Sequence, residues 1–403
     1  MKYLIMFLLL FVSFSSFSMT VSELAQMAIE RSGTLSAQEM EARALQSEAT
    51  VKGRWQNPQI MGQFGTLKSG STQGPTVELS FTQPIPLSDK FSLRKDLATM
   101  AMGTQTVKSE FFKNWVTHQA ILSAWKYYVF NELFQHGTER AKRITLIKRY
   151  METRPKVSVR QRVELSTISS LVLSLEGVQS EKARDLQMAK DDLEFWIGKK
   201  VDVSELPFKL PNEYKVNNDF EFNLNRDMEL IEAKRQFQFS TLDRELAQKE
   251  KRPDLILGGG YRIENVDPTN HFTYAIVGLN IPLWDTGSGR LESARARESR
   301  DQKYLEEAER KIELKQRKQV ELVKFSLDQL KRFPPKFIQV HEKSIVEAES
   351  GFKQGLLDVN TFLQAETQAH EVIDQVFMYW IAYLENISSL QLMKGEFLNW
   401  ESK

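Results

Sequence analysis

The sequence, 403 residues long, contains no cysteine. No disulfide framework can hold it together, and no cysteine can carry a lipid anchor. An excess of either charge is also missing. The 54 basic residues are matched by 53 acidic ones, without the basic surplus expected of a nucleic-acid binder. Beyond the N-terminus no run approaches the ~20 apolar residues of a membrane helix. The nearest, VFMYWIAYL at 376–384, stops at Glu385-Asn386. If the chain enters a membrane, it does not do so as a helix. Histidine is scarce, at positions 118, 136, 271, 341 and 370. Their spacing offers no H-x-x-x-H and no His/carboxylate grouping of metal-ligand type. G-x-S-x-G and any convincing catalytic triad are absent too. The reading is therefore not an enzyme, with no cofactor and no metal site.

What is present begins with MKYLIMFLLLFVSFSSFS at 1–18. Lys2 supplies a charged start, residues 3–12 an apolar core, and Ser16-Phe17-Ser18 a small-x-small cleavage site. A signal peptide over 1–18 and an exported mature chain are expected; a single anchoring helix is the alternative.

Most of the remainder reads as helix, over 21–52, 92–150, 159–197, 222–251, 288–332 and 362–393. The stretch 159–197 repeats apolar residues at heptad spacing: Leu165, Ile168, Val172, Leu175, Leu186, Ala189, Leu193 and Trp196. The stretch 362–393 does the same at Phe362, Ala369, Ile373, Val376, Trp380, Tyr383, Ile387 and Leu390. The segments 92–150 and 288–332 are longer and more polar. At 1.5 Å per residue, roughly sixty helical residues span about 90 Å, the length of a stalk or duct.

Between the helices lie two stretches of alternating residues, 57–87 and 252–283. Val77, Leu79 and Phe81 alternate with Glu78, Ser80 and Thr82, and Leu255, Leu257, Tyr261 and Ile263 with Gly258, Gly260, Arg262 and Glu264. In the last strand the face is ambiguous: Phe272, Tyr274 and Ile276 compete with Ala275, Val277 and Leu279. Both stretches end in Ile-Pro-Leu, at Ile85 and Ile281. Pro58 maps onto Pro253 and Gly198 onto Gly395 at nearly the same offset. The whole unit thus repeats, with a first copy over 19–211 (strands about 57–66 and 76–86). The second covers 212–403 (strands about 254–264 and 272–282).

Ten-residue strands with one apolar and one polar face match membrane-barrel strands. Four cannot close a barrel, and open edges are not tolerated in lipid. Several chains would have to pool their strands. The alternative is a soluble helical protein with two hairpins.

Three stretches carry a resemblance to a known family. VGLNIPLWDTGSGRLESARA (277–296) and LSFTQPIPLSDKFSLRKDLA (79–98) resemble strand-to-helix junctions of the outer membrane factor family, the TolC-like efflux ducts. FPPKFIQVHEKSIVEAESGFKQGLLDVNTFLQAET (333–367) resembles that family's second helical turn, and IKRYMETRPKVSVRQRVEL (147–165) its first. The resemblance runs over essentially the whole mature chain. The Gln-Pro-Ile of the first junction leans toward the heavy-metal-efflux branch.

The resemblance implies a mainly α fold with a small membrane β part, built from two tandem repeats of long coiled-coil helices plus a β-hairpin. It implies a homotrimer with a twelve-stranded β-barrel continued by an α-helical barrel. The implied role is the passive exit duct of a tripartite efflux pump, in the cell outer membrane with its helices in the periplasm. Partners would be a periplasmic adaptor (membrane fusion) protein, an RND or ABC inner-membrane transporter, and outer-membrane lipid, not nucleic acid. A protein-secretion exit duct and a non-pore periplasmic coiled-coil protein are the alternatives. The implied periplasmic tip comprises Arg154, Arg160 and Arg162 on the first turn, with Gly355, Asp358, Thr361 and Gln364 on the second. The junctions are marked by Pro86, Pro282 and Gly287. Two departures stand out. Glu152-Thr153-Arg154-Pro155 replaces the glycine of the first turn, and Thr361 and Gln364 occupy positions where acidic residues narrow the family's entrance. Asp358 or Glu366 would have to supply that acidic ring. The arginines of the first turn read equally as an adaptor-docking rim and as a solvated helix tip.

Overall fold

The structure, a computed structural model, describes residues 19–69, 72–153, 158–209, 227–265, 268–281, 286–333 and 336–395. The expected signal peptide, Arg154 and Pro282 lie outside the described residues. The chain divides into two compact units, and each draws segments from both sequence repeats. One takes Met1–Ser32, Lys113–Phe222 and Gln316–Lys403; the other takes Gly33–Phe112 and Asn223–Lys315.

The first unit is helical. It contains α1 (Val21–Arg31), the later part of α3 (Lys90–Glu152), α4 (Val159–Ile197), the end of α6 (Ser288–Lys331), α7 (Phe337–Lys353) and α8 (Val359–Lys394). The heptad positions do what their spacing predicts. Ile168, Leu175, Ala189 and Leu193 of α4 are buried, as are Phe362, Ala369, Ile373, Val376, Trp380, Tyr383 and Leu390 of α8. The repeated glycines acquire a shared reason. Gly198 and Gly395 follow α4 and α8 in the left-handed region, at φ 73° and 65°, where a residue with a Cβ is strained. One expected helix is split, and one helix, α7, lies outside the expected ones. The 21–52 stretch breaks at Ser32, whose extended backbone (φ −68°, ψ 99°) closes α1 before α2 (Gly33–Lys52) begins; Ser and Gly are weak helix formers. After α6 the pair Pro334-Pro335 removes two backbone donors, and α7 starts afresh.

The second unit carries α2, the start of α3, α5 (Met228–Glu250), the start of α6, and one sheet. Its strands are β1 (Gln59–Ser69), β2 (Thr72–Pro86), β3 (Asp254–Glu264) and β4 (Asn270–Asn280). They form a single antiparallel sheet in the order β1-β2-β3-β4. The central pairing, β2 with β3, joins the two sequence repeats, with Val77 opposite Ile263 and Ile85 opposite Leu255. Gly74 and Pro75 stand inside β2 rather than in a turn, paired with Leu67 and Thr66.

Paired residues of a ladder share a face, so the register settles the ambiguous strand. Ala275, Val277 and Leu279 of β4 lie with Gly259, Leu257 and Leu255 of β3, and these with Phe81, Gln83 and Ile85 of β2. Phe272, Tyr274 and Ile276 lie on the other face with Arg262, Gly260 and Gly258, opposite Glu78, Ser80 and Thr82.

Two glycines of β3 are fixed by close approach. A Cβ on Gly258 would stand 2.1 Å from the Phe81 carbonyl oxygen, and one on Gly260 would stand 2.2 Å from the Tyr274 ring. Gly65 of β1 has open space instead. Gly258→Ala must therefore push β2 and β3 apart, costing about 2 kcal/mol in urea unfolding of the purified protein. Gly65→Ala should stay within about 0.5 kcal/mol of the parent. Equal unfolding midpoints for the two variants would contradict the register.

Candidate functional site

The sheet is inside-out for a protein in water. On one face Ile60, Phe64, Leu79, Phe81 and Val277 are exposed, Phe64 at 83%. On the other, Ser80, Thr82 and Glu264 are buried, at 6–7% exposure. Greasy side chains look outward and polar ones are enclosed, the reverse of the usual hydrophobic ordering. The enclosed face is tied by side chains. The Tyr274 hydroxyl passes over Gly260 and donates to the Glu78 carboxylate. Arg262 lies 3.9 Å from Glu78 and 2.9 Å from Glu264, with its guanidinium over the Phe272 ring at 5.3 Å. These contacts cross β2, β3 and β4 together. The outer edges of β1 and β4 pair with no other strand among the described residues.

Where strands give way to helices, the two repeats are pinned by charge. Pro86 closes β2 opposite Asp254, and the nearly buried Lys90 reaches Asp254 at 2.8 Å and the Arg252 carbonyl at 2.7 Å. Arg94 and Arg290 both grip Glu250 at 3.0 Å. Gly287 (φ 66°) turns the chain into α6.

In the helical unit the two expected tip turns meet on one small core. Ile144, Ile147, Ile168, Leu175, Phe352, Val359, Phe362 and Leu363 cluster there, with Phe352 stacked on Phe362 at 5.4 Å. Gly355 makes the second turn at φ 77°. Asp358 caps α8 by accepting the Thr361 N–H at 2.8 Å, which holds its carboxyl below the usual range. Arg160 spans Glu164 at 2.8 Å and Asp358 at 3.5 Å, so the structure brings these two predicted residues together. Arg162 is exposed. Gln364 lines a shallow hollow with Thr167, Leu171, Leu363, Thr367 and Gln368.

The acidic ring expected from Asp358 or Glu366 is not free in either case. Asp358 is occupied as a cap, and Glu366 is fully buried, held by Arg140 through two 3.0 Å hydrogen bonds. Glu366 belongs to a belt of which the sequence displays only the i,i+4 spacing to His370. His370 Nε2 lies 3.2 Å from Glu366 and 3.4 Å from Arg143, and its Nδ1 is 2.7 Å from His136 Nε2. Glu342 approaches His136 at 3.6 Å, and Lys182 pairs with Asp374 at 2.6 Å. The histidines are 234 residues apart in sequence. Histidine thus meets carboxylate in the fold, and among the described residues no group of three or more histidine or acidic side chains could hold a metal. Burial pushes His136 down to about 4. His370 falls further, to about 2, under burial and the neighbouring His136 and arginines. Both rings are neutral in the fold at ordinary pH.

No family model and no curated protein matches the chain. Solved structures do. A membrane protein from Pseudomonas aeruginosa superposes with a TM-score of 0.77 at 12% identity, over 95% of this chain and 92% of that one. The open-state MtrE outer membrane channel of Neisseria gonorrhoeae gives 0.76 at 12% identity, over 95% and 90%. The outer membrane protein VceC of Vibrio cholerae gives 0.72 at 16% identity, over 94% and 97%. The fold is therefore that of outer membrane channels of the TolC-like kind, along essentially the whole chain. At these identities the likeness is one of fold.

The histidine belt makes stability pH-dependent with a defined sign. Folded-state pKa values below the ordinary 6.5 mean that the unfolded chain binds protons the folded one refuses. This contribution is full above about pH 6.5 and should fall by on the order of 3 kcal/mol for each histidine as pH drops toward 4. Urea titrations at pH 7, 5.5 and 4.5 would measure it. The His136→Gln/His370→Gln variant should flatten that part of the slope; an unchanged slope would refute the assignment.

Proposed function

We propose that the chain is one third of an exit duct in the cell outer membrane. Three copies close a twelve-stranded barrel from three four-stranded sheets, and their helices continue the wall into the periplasm. The observation that carries this reading is the inside-out sheet with two open edges. In hydrocarbon, unpaired strand N–H and C=O groups cost several kcal/mol each, so the edges of β1 and β4 call for neighbouring copies. The exposed apolar face then meets lipid, and the enclosed polar face lines water. Strands of 11 and 15 residues satisfy the ~9–11 needed to span a bilayer at the usual tilt. Among the described residues no helix is long and apolar enough to cross a membrane, so the sheet is the part suited to it. The fold shared with outer membrane channels supports the same role.

The duct performs no chemistry. It passes substrates delivered by an inner-membrane transporter, of RND or ABC type, through a periplasmic adaptor. The turns bearing Arg160, Arg162, Gly355, Asp358, Thr361 and Gln364 serve as the adaptor-facing entrance. Proposed in this way, the arginines are the docking rim, and Asp358 fixes the geometry of α8 where it starts.

Purified protein in detergent should sediment as a trimer and open ion-conducting channels in planar bilayers. A water-soluble monomer without detergent would end the proposal. For the rim, Arg160→Ser/Arg162→Ser should lower cross-linking to the adaptor by roughly threefold while leaving trimer conductance intact. Unaltered cross-linking would make these arginines a solvated tip.

A further inference from the structure

The junction between sheet and helices carries cations that the fold itself leaves unused. Lys52 ends α2 and Arg54 lies two residues on; Lys251 is the C-cap of α5 and Arg252 follows it. Both pairs stand between a helix and the proline that leads into a hairpin, Arg54 four residues before Pro58 and Arg252 directly before Pro253. Lys95 joins them from α3, laying its stem against Gly53, where an added Cβ would come within 3.1 Å of its Cδ. Lys251 packs its stem on Gly287 in the same way, at 3.4 Å. All five side chains are exposed, and none forms an ion pair among the described residues. The carboxylates close by are already engaged: Asp254 by Lys90, Glu250 by Arg94 and Arg290, and Asp89 by Lys249.

Local electrostatics does not account for this collar. A cation at a helix C-terminus complements the helix dipole, which suffices for Lys52 and Lys251. Arg54 and Arg252 stand beyond their helices, and Lys95 lies in the second turn of α3, near the end where the dipole favours anions. The collar is also rimmed by apolar groups. Trp55 is 61% exposed, Leu87 52% and Ile281 53%, and Trp55 stacks near Phe91 at 6.3 Å. The apolar face of the sheet ends here. From Val77 to Ile85 that face runs about 27 Å along β2, close to the ~25 Å apolar band of a membrane barrel. Immediately beyond it come an amphipathic aromatic ring and unpaired basic groups, the combination that seats in the headgroup layer.

We propose that Lys52, Arg54, Lys95, Lys251 and Arg252, with Trp55 beside them, bind the anionic phospholipid headgroups of the leaflet on the helix side. This inference rests on the reading of the sheet as a membrane wall, and adds the headgroup chemistry that the wall selects. Phosphodiester charge complements the five cations, while the indole ring occupies the glycerol level. The collar fixes the depth at which the helices leave the bilayer.

The test uses full-length mature protein in phosphatidylcholine vesicles doped with spin-labelled phosphatidylglycerol or spin-labelled phosphatidylcholine. The motionally restricted lipid shell of the parent should prefer the glycerol lipid by about threefold or more, and less at high salt. Replacing the five cations with glutamine should bring that preference close to unity. A Lys303→Gln/Lys343→Gln control, altered far along the helices, should keep it. Equal uptake of the two lipids by the parent, or a preference surviving in the five-fold variant, would overturn the collar alone. Loss of the preference to inorganic phosphate at constant ionic strength would mean a free-phosphate pocket and would overturn it as well. Protein that never enters the vesicles would overturn the membrane-wall reading from which it starts.

Discussion

A strand edge cannot be left bare where there is no water to bond it. In this chain that constraint falls on β1 and β4, the outer strands of a four-stranded sheet whose exposed face is apolar. A soluble protein could hydrate such edges, but it would not also present Phe64 and Val277 to solvent while enclosing Ser80, Thr82 and Glu264. Edge and face together fit the proposed wall, with lipid on one side, water on the other and a neighbouring copy at each end. Much else follows from that arrangement. β3 is bare of side chains at Gly258 and Gly260, so that β2 can come close and Tyr274 can cross to Glu78. The charged pins at Lys90 and Glu250 fix the sheet to helices that must bear it.

The helical unit answers a different need. Its two apolar clusters, around Trp380 and around Phe362, are interrupted along α3 and α8 by Arg140, Glu366, His370 and His136. A buried belt of this kind stabilises little compared with an apolar filling of the same volume. It does specify how α3, α4, α7 and α8 align, because a shift of any one of them would strand a charge. Neutral histidines suit the belt, since a proton on either ring would face Arg140, Arg143 and Lys182.

Much of the fold was legible because its signals are periodic. The heptads of α4 and α8, the alternation in β2, and the paired anchors Gly198/Gly395 and Pro58/Pro253 are patterns of spacing, and spacing is what a sequence displays. The helix break at Ser32 was less visible, since a local cap overrides propensity only at one point. The face of β4 was undecidable alone, as Tyr274 and Val277 are both plausible strand residues; only the ladder to β3 separates them. Of the belt only the i,i+4 pair Glu366 and His370 was on display. His136 and His370 belong to opposite repeats, and nothing near either announces the other. Of the tip, Gly355 was placed in a turn by the family resemblance, whereas the capping role of Asp358 was not foreseen and the burial of Glu366 depended on Arg140 arriving from another helix.

The pairing of β2 with β3 has a kinetic meaning. Each hairpin closes locally, but Val77 meets Ile263 only after two long helices of intervening chain are in place. Contacts so distant in sequence form slowly. A first hairpin that is already exported holds an apolar face and an unclaimed β2 edge until the second half of the same molecule arrives, or another strand takes its place. The symmetry between the halves makes a hairpin from another copy a credible substitute, so mispairing between copies is the characteristic assembly error of this architecture. The glycines of β3 narrow the choice without closing it: a strand with a Cβ at those positions cannot approach β2 closely enough to stay, while a β3 strand from this copy or another can.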